Sequence, residues 1–247
     1  MTRGVIFRVG YLQMGNRLGG TVTGRPLQFI WLADCSSSMW GKKIEALNFG
    51  VREALPAMCD VANDNPQAQV MVRAIRFSDG AHWHVAEPTS VHDFAWTDLG
   101  ITGLTDMGQA LSLAASALSS DQMPERGLAP VLVLLTDGHP TDDFERGLKE
   151  LMAQRWGEKA VRIAIAIGED VNLDVLKQFT GHEERVIQVH DVETLVRMIK
   201  WASTVPLQAA SKPASQPMGM APQADNIAVP APPPVDDDAA IGAADVF

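Results

Sequence analysis

Residues 27–33 read Leu-Gln-Phe-Ile-Trp-Leu-Ala, and Asp34-Cys35-Ser36-Ser37-Ser38 follow directly. A continuous apolar run of this length, closed by a polar loop, is the pattern of a central strand covered on both faces. Beyond the loop, Ile44, Leu47, Val51, Leu55 and Met58 recur at spacings of three and four, the stripe of an amphipathic helix. Pro56 falls inside that stripe and predicts a kink or an early end. A buried strand, a hydroxyl-rich loop and a helix in succession set up a parallel sheet whose ligands sit at the carboxyl ends of its strands.

The same alternation continues along the chain. Residues 70–77 alternate as a strand, Asp79-Gly80 signals a tight hairpin, and residues 82–86 return. Leu111, Ala114 and Leu118 mark a second helix, residues 131–135 a buried strand, and residues 144–156 a helix. Residues 161–167 form a strand, 173–179 a short helix, 186–189 a last strand and 192–202 a closing helix. The expected fold is α/β: a doubly wound, mainly parallel six-stranded sheet with one antiparallel edge strand. Three parts follow: a basic, glycine-rich extension over 1–26, the α/β domain over 27–203, and a tail over 204–247 expected to be disordered. That tail, read from Val205, holds eight of the fifteen prolines and eleven alanines, too little apolar surface to offset ordering entropy.

Composition narrows the function. Hydrophobic residues make up 46% and charged residues 20%, so a core can be buried. The net charge of −10 argues against a nucleic-acid binder. No apolar run approaches the roughly 18 residues of a membrane span. The opening MTRGVIFRVGYLQMG lacks the apolar core of a secretory leader, and Met14 is an alternative start. Cys35 and Cys59 are the only cysteines, which leaves no disulfide framework or zinc ribbon. A cytoplasmic protein without membrane or nucleic-acid partners is expected.

Three loops at one sheet edge supply the chemistry. They carry Asp34, Ser36 and Ser38 after the first strand, Thr105 before the second helix, and Asp137 after the strand at 131–135. Each has an ordinary reading: Asp34 as a first-turn acid, Ser36, Ser38 or Thr105 as a helix cap, Asp137-Gly138 as a turn. Their occurrence together, each beside the right element, favours a metal site. The donor set is hard and low in charge, which suits Mg²⁺ or Mn²⁺ better than zinc. His82 and His84 share a strand face ahead of Asp93, a pattern more common on a solvated edge than at zinc.

Asp34-x-Ser36-x-Ser38, Thr105 in Gly-x-Thr-x-x-Gly-x-Ala-Leu, and Asp137 in Leu-Leu-Thr-Asp-Gly together resemble a von Willebrand factor A domain. The resemblance spans roughly residues 27–202 and implies a metal-ion-dependent adhesion site. In that family the serines and threonine bind the ion directly or through water, and the aspartates hold it mostly at one remove. Cys35 and Ser37 stand where threonine and glycine are common. The run Ser38-Met39-x-Gly41-x-x-Ile44-x-x-Leu47-Asn48 is similar to the bacterial TerY-like subgroup associated with tellurium resistance.

The function expected from this reading is a non-enzymatic, metal-dependent protein-binding module. A partner's Asp or Glu would complete the ion's shell, and Trp40, just past the serines, would anchor the partner unless it packs beneath the helix. The TerY-like resemblance implies a protein kinase and a PP2C-type phosphatase as partners in bacterial stress or conflict signalling. Two alternatives stand beside it: a metal-assisted hydrolase using the same cleft, for which only His139 is near, and an adaptor to an AAA+ ATPase.

Overall fold

Strand β1 (Arg25–Asp34) lies at the centre of a six-stranded sheet in the order β3-β2-β1-β4-β5-β6. The computed structural model describes residues 24–211, 227–234 and 247. β2 (Ala68–Ser78) and β4 (Val131–Thr136) flank β1, both parallel to it, and β5 (Val161–Ile167) and β6 (Val186–Val189) extend the parallel run. β3 (Gly80–Ser90) pairs antiparallel with β2 through the tight turn at Asp79-Gly80 and forms the edge, as the hairpin signal predicts.

The all-apolar strands read as they do because both faces are covered. Phe29, Trp31 and Ala33 of β1 join the core beneath α1 (Lys42–Asp64) and α6 (Val192–Ser211). Ile30 and Leu32 point the other way, into the core beneath α2 (Met107–Ala117), α3 (Phe144–Ala153) and α5 (Leu173–Thr180). A period of two along each strand therefore feeds two separate cores. The chain leaves β1 toward β2 on one side and later crosses to β4 on the other. The reversal opens a crevice between the carboxyl ends of β1 and β4, where doubly wound sheets bind ligands.

Several expected boundaries are corrected. α1 runs through Pro56 to Asp64. Pro56 sits on the solvent side while Ala54 and Met58 are fully buried, so burial outweighs the missing backbone hydrogen bond. α6 continues past 202 and through Pro206 to Ser211, for the same reason: Leu207 and Ala210 are buried, and Asn65 Nδ2 donates to Ser211 O at 2.8 Å. The helix expected over 144–156 divides, with Gln154 extended and a short α4 (Arg155–Glu158) resuming the helix to seat Trp156 in the core. β1 itself begins at Arg25, two residues ahead of the apolar run.

Of the tail, residues 212–226 and 235–246 lie outside the described residues, as do 1–23 of the N-terminal extension. The described tail residues do not stand apart from the domain. Ile227, Val229 and Phe247 pack against the core of α1 and α6, Arg185 Nη2 donates to Ile227 O (3.5 Å), and Phe247 N donates to His190 O (3.0 Å). Overall composition hides these few apolar residues among the prolines and alanines.

One contact holds a site-bearing element in place. α2 and α3 approach so closely that a Cβ on Gly147 would lie 2.1 Å from Gly108 O, and one on Gly108 2.3 Å from Asp143 O. Asp142 fixes the same junction by accepting from Gly108 N and Gln109 N, both at 2.8 Å. The clash involves backbone, which cannot rotate aside. Gly147→Ala is expected to destabilise the domain by about 3 kcal/mol, read as a lower urea midpoint at an unchanged slope.

Candidate metal centre

Asp34 is the last residue of β1 and is fully buried. The pairing of β1 with β4 sets Ala33 beside Leu135, which brings Thr136 to the Asp34 carboxylate. Thr136 Oγ1 donates to Asp34 Oδ2 at 2.6 Å, and Ser36 N donates to Oδ1 at 2.8 Å. Both oxygens are thus held by neutral donors fixed to the backbone.

The serine loop follows as a 3-10 turn, Ser37–Met39, with Ser36 buried and Ser38 exposed. The Ser36 and Ser38 hydroxyls are 3.0 Å apart, and Ser38 Oγ donates to Asp137 Oδ1 at 2.7 Å. The Asp137 side chain is fully buried at the end of β4, with its other oxygen 2.6 Å from Lys43 Nζ. Met39 fills the core beneath the turn and fixes its height, whereas Trp40 is 77% exposed. The packing of Trp40 beneath the helix is therefore not what the structure shows.

Thr105 arrives on a 16-residue connection between β3 and α2, which needs its own anchors. Phe94, Trp96 and Leu99 insert into the core, and buried Asn48 of α1 ties the segment down. Asn48 Oδ1 accepts from Trp96 Nε1 (3.0 Å) and Leu99 N (2.9 Å), while its Nδ2 donates to Leu99 O (3.1 Å). Further along, Thr102 N donates to Cys35 O (2.8 Å), and Ser37 donates to Gly103 O through both N and Oγ. The connection is stitched onto the serine loop itself. Thr105 N and O then bond Thr141 in the loop after β4. A Cβ on Gly138 would stand 3.3 Å from Thr105 Oγ1 and 3.8 Å from Asp34 Oδ2, so glycine there keeps open the space on which the loops converge.

All five expected ligands, Asp34, Ser36, Ser38, Thr105 and Asp137, thus meet at the crevice between β1 and β4. Only two are carboxylates, and no group of three or more His, Cys, Asp or Glu that could hold a metal occurs among the described residues. The residues fit a hard ion that accepts neutral oxygen donors. Thr136, Lys43 and Asn48 were not assigned from the sequence. Thr136 stands inside the Leu-Leu-Thr-Asp-Gly string, and its position beside Asp34 follows from strand register. The roles of Lys43 and Asn48 are tertiary. His84 is engaged elsewhere, 2.8 Å from Thr97 O and against Trp96, and His139 contacts Asp170 at 3.4 Å. Cys35 is buried, its thiol donating to Phe77 O (3.3 Å). Burial also pushes the Cys35 thiol pKa up, away from a reactive thiolate.

Burial raises the Asp34 carboxyl from 3.8 to about 6, against the pull of its hydrogen bonds from Ser36 and Thr136 and helped slightly by Asp137. An acid whose folded pKa is raised favours folding fully below its unfolded pKa, and that contribution is lost as pH rises through the folded value. Chelator-treated protein should therefore lose about 3 kcal/mol of stability through Asp34 between about pH 4 and pH 6.5. Urea titrations of wild type and Asp34→Asn isolate the effect, because asparagine removes that part of the slope. Ion affinity should run the opposite way, rising with pH and levelling above about 6.

No curated protein is a significant match. Among solved structures, the chain is similar to mussel byssus proximal thread matrix protein 1 with a zinc-occupied MIDAS motif. Identity is 18% and the TM-score 0.55, over 73% of this chain and 48% of that one. It is similar to the pilus adhesin SpaC of Lactobacillus rhamnosus GG in its open conformation (13% identity, TM-score 0.60, 75% and 30% covered). A third is a von Willebrand factor type A protein of Catenulispora acidiphila (19% identity, TM-score 0.51, 74% and 43% covered). The chain spans about half the length of these structures or less, and at such identities the likeness establishes the fold. The family profile described as the von Willebrand factor type A domain matches residues 30–201, from the middle of β1 into α6. The chain belongs to the von Willebrand factor type A domain family.

Proposed function

We propose that this chain is a protein-binding module whose engagement depends on a divalent ion. Domains of this family can bind such an ion at a MIDAS site, and zinc occupies that motif in the mussel protein. Here Ser36, Ser38 and Thr105 would hold the ion, with Asp34 and Asp137 supporting it, and Mg²⁺ or Mn²⁺ suits the donor set best. The ion would supply an electrophilic position that an Asp or Glu of a partner protein completes.

The observation that carries this reading is what surrounds the site. Among the described residues, the exposed large hydrophobics are Trp40, Phe49 and Leu104. Trp40 belongs to the serine loop and Leu104 adjoins Thr105, and the Ser37–Gly103 hydrogen bonds hold those two loops together. A small polar centre with exposed tryptophan and leucine beside it is the composition of a protein-binding hot spot. His139 contacts Asp170 and not the site hydroxyls, so binding is favoured over metal-assisted hydrolysis.

The similarity of the Ser38–Asn48 stretch to TerY-like proteins supports a narrower reading. In it the partners are a protein kinase and a PP2C-type phosphatase, in cytoplasmic bacterial signalling linked to stress or tellurium resistance. No helix among the described residues is long and apolar enough to cross a membrane.

Asp34→Asn and Asp137→Asn should each weaken Mg²⁺ or Mn²⁺ binding about 100-fold by calorimetry, and undiminished affinity in both would remove the metal site. Trp40→Ala and Leu104→Ala should each weaken partner capture roughly tenfold while leaving ion affinity unchanged. Thr105→Ala should weaken capture and abolish its sensitivity to chelator. If chelation does not alter wild-type capture from native extract, the module binds through its fold and not through its metal.

A further inference from the structure

The two carboxylates of the site are neutralised in different ways. Asp34 is held by the Ser36 amide and the Thr136 hydroxyl, neutral groups set by the backbone. Asp137 is held by Ser38 and by a charge, the Lys43 ammonium at 2.6 Å. The Asp137 side chain is fully buried, while that of Lys43 keeps 23% of its surface exposed. Lysine carries a compact charge on a flexible stem. Gly41, at φ +81, ends the serine loop and starts α1, which puts Lys43 in the first turn beside the site. On its other side Lys43 faces Gly168, where a Cβ would be 3.5 Å from Nζ and 3.7 Å from Cε. No side chain at that position restrains the ammonium.

We propose that Lys43 is a tethered counter-cation that holds Asp137 when no ion is present and must give it up for an ion to bind. The inference rests on the metal-dependent reading of the site. Removing the cation from a buried ion pair is strongly destabilising, so the domain needs Lys43 in its metal-free state. A divalent ion brought to the same loops repels the ammonium, and the two compete for Asp137. Lys43 thereby makes the metal-free domain stable and lowers ion affinity. Ion binding and release become an exchange between two ordered states of one site.

The test uses the full chain, Mn²⁺ as the probe, and Lys43→Met, which keeps the apolar stem and removes the charge. Calorimetry should show Lys43→Met binding Mn²⁺ about tenfold more tightly than wild type. Its chelator-treated form should melt about 10 °C lower and regain more on saturation with Mn²⁺. Lys43→Arg, with the charge retained, should stay near wild-type affinity. If Lys43→Met is unfolded without metal, Lys43→Gln serves for the affinity comparison. Wild type that binds Mn²⁺ with a neutral variant that binds no more tightly overturns the role of Lys43 and leaves the metal site standing. Absence of Mn²⁺ binding in both wild type and the neutral variant overturns both. Binding by the neutral variant alone supports the competition in its strongest form.

Discussion

A carboxylate buried at the end of the central strand is the constraint around which this domain is arranged. β1 is covered on both faces and buried from Leu27 to its carboxyl end, where Asp34 stands fully buried. Removing a carboxylate from water costs several kcal/mol unless other groups replace the lost hydrogen bonds. The neighbouring strand supplies Thr136 and the turn supplies the Ser36 amide. Those two bonds tie β4 and the serine loop to one point. Burial still raises the Asp34 carboxyl to about 6, against the pull of those bonds.

The second requirement is to deliver Thr105 from far along the chain. A long connection would ordinarily be mobile, and this one is pinned in stages. Its aromatic residues enter the core of α1 and α6, Asn48 meets its backbone, and the serine loop then clasps Gly103. From the far side, the Gly108–Gly147 contact sets α2 against α3 at van der Waals distance. The site therefore depends on packing in both cores, one on each face of the sheet. A lesion in either is felt at the crevice.

The face that results is mixed in a way that suits recognition. Its centre is polar, with hydroxyls and two acids offset by one lysine, and its loops expose Trp40 and Leu104. On the proposed reading, a bound ion would favour an acidic group of a partner, and the apolar residues would add contact area that is indifferent to the ion. Specificity and metal dependence would then rest on different side chains of the same loops.

Much of this was legible in the chain itself. The apolar run at 27–33 has the pattern of a strand buried on both faces, and the alternation of such runs with helical stripes pointed to a doubly wound sheet. The convergence of Asp34, Ser36, Ser38, Thr105 and Asp137 at one sheet edge was legible too, because each lies directly beside an element whose type the periodicity had already fixed. Local pattern failed where burial overrode propensity: Pro56 and Pro206 do not end their helices, since the residues around them face the core. It failed equally for Ile227, Val229 and Phe247, whose contacts with the domain are invisible to composition. What only the tertiary structure decided is which groups answer the buried charges. Thr136 reaches Asp34 through strand register, Lys43 reaches Asp137 across 94 residues of sequence, and Asn48 clasps a loop 51 residues away. Periodicity encodes which face a residue presents, because that depends on its neighbours in the chain. The partner of a buried polar group depends on where distant segments are brought together, and that is settled only when the cores pack.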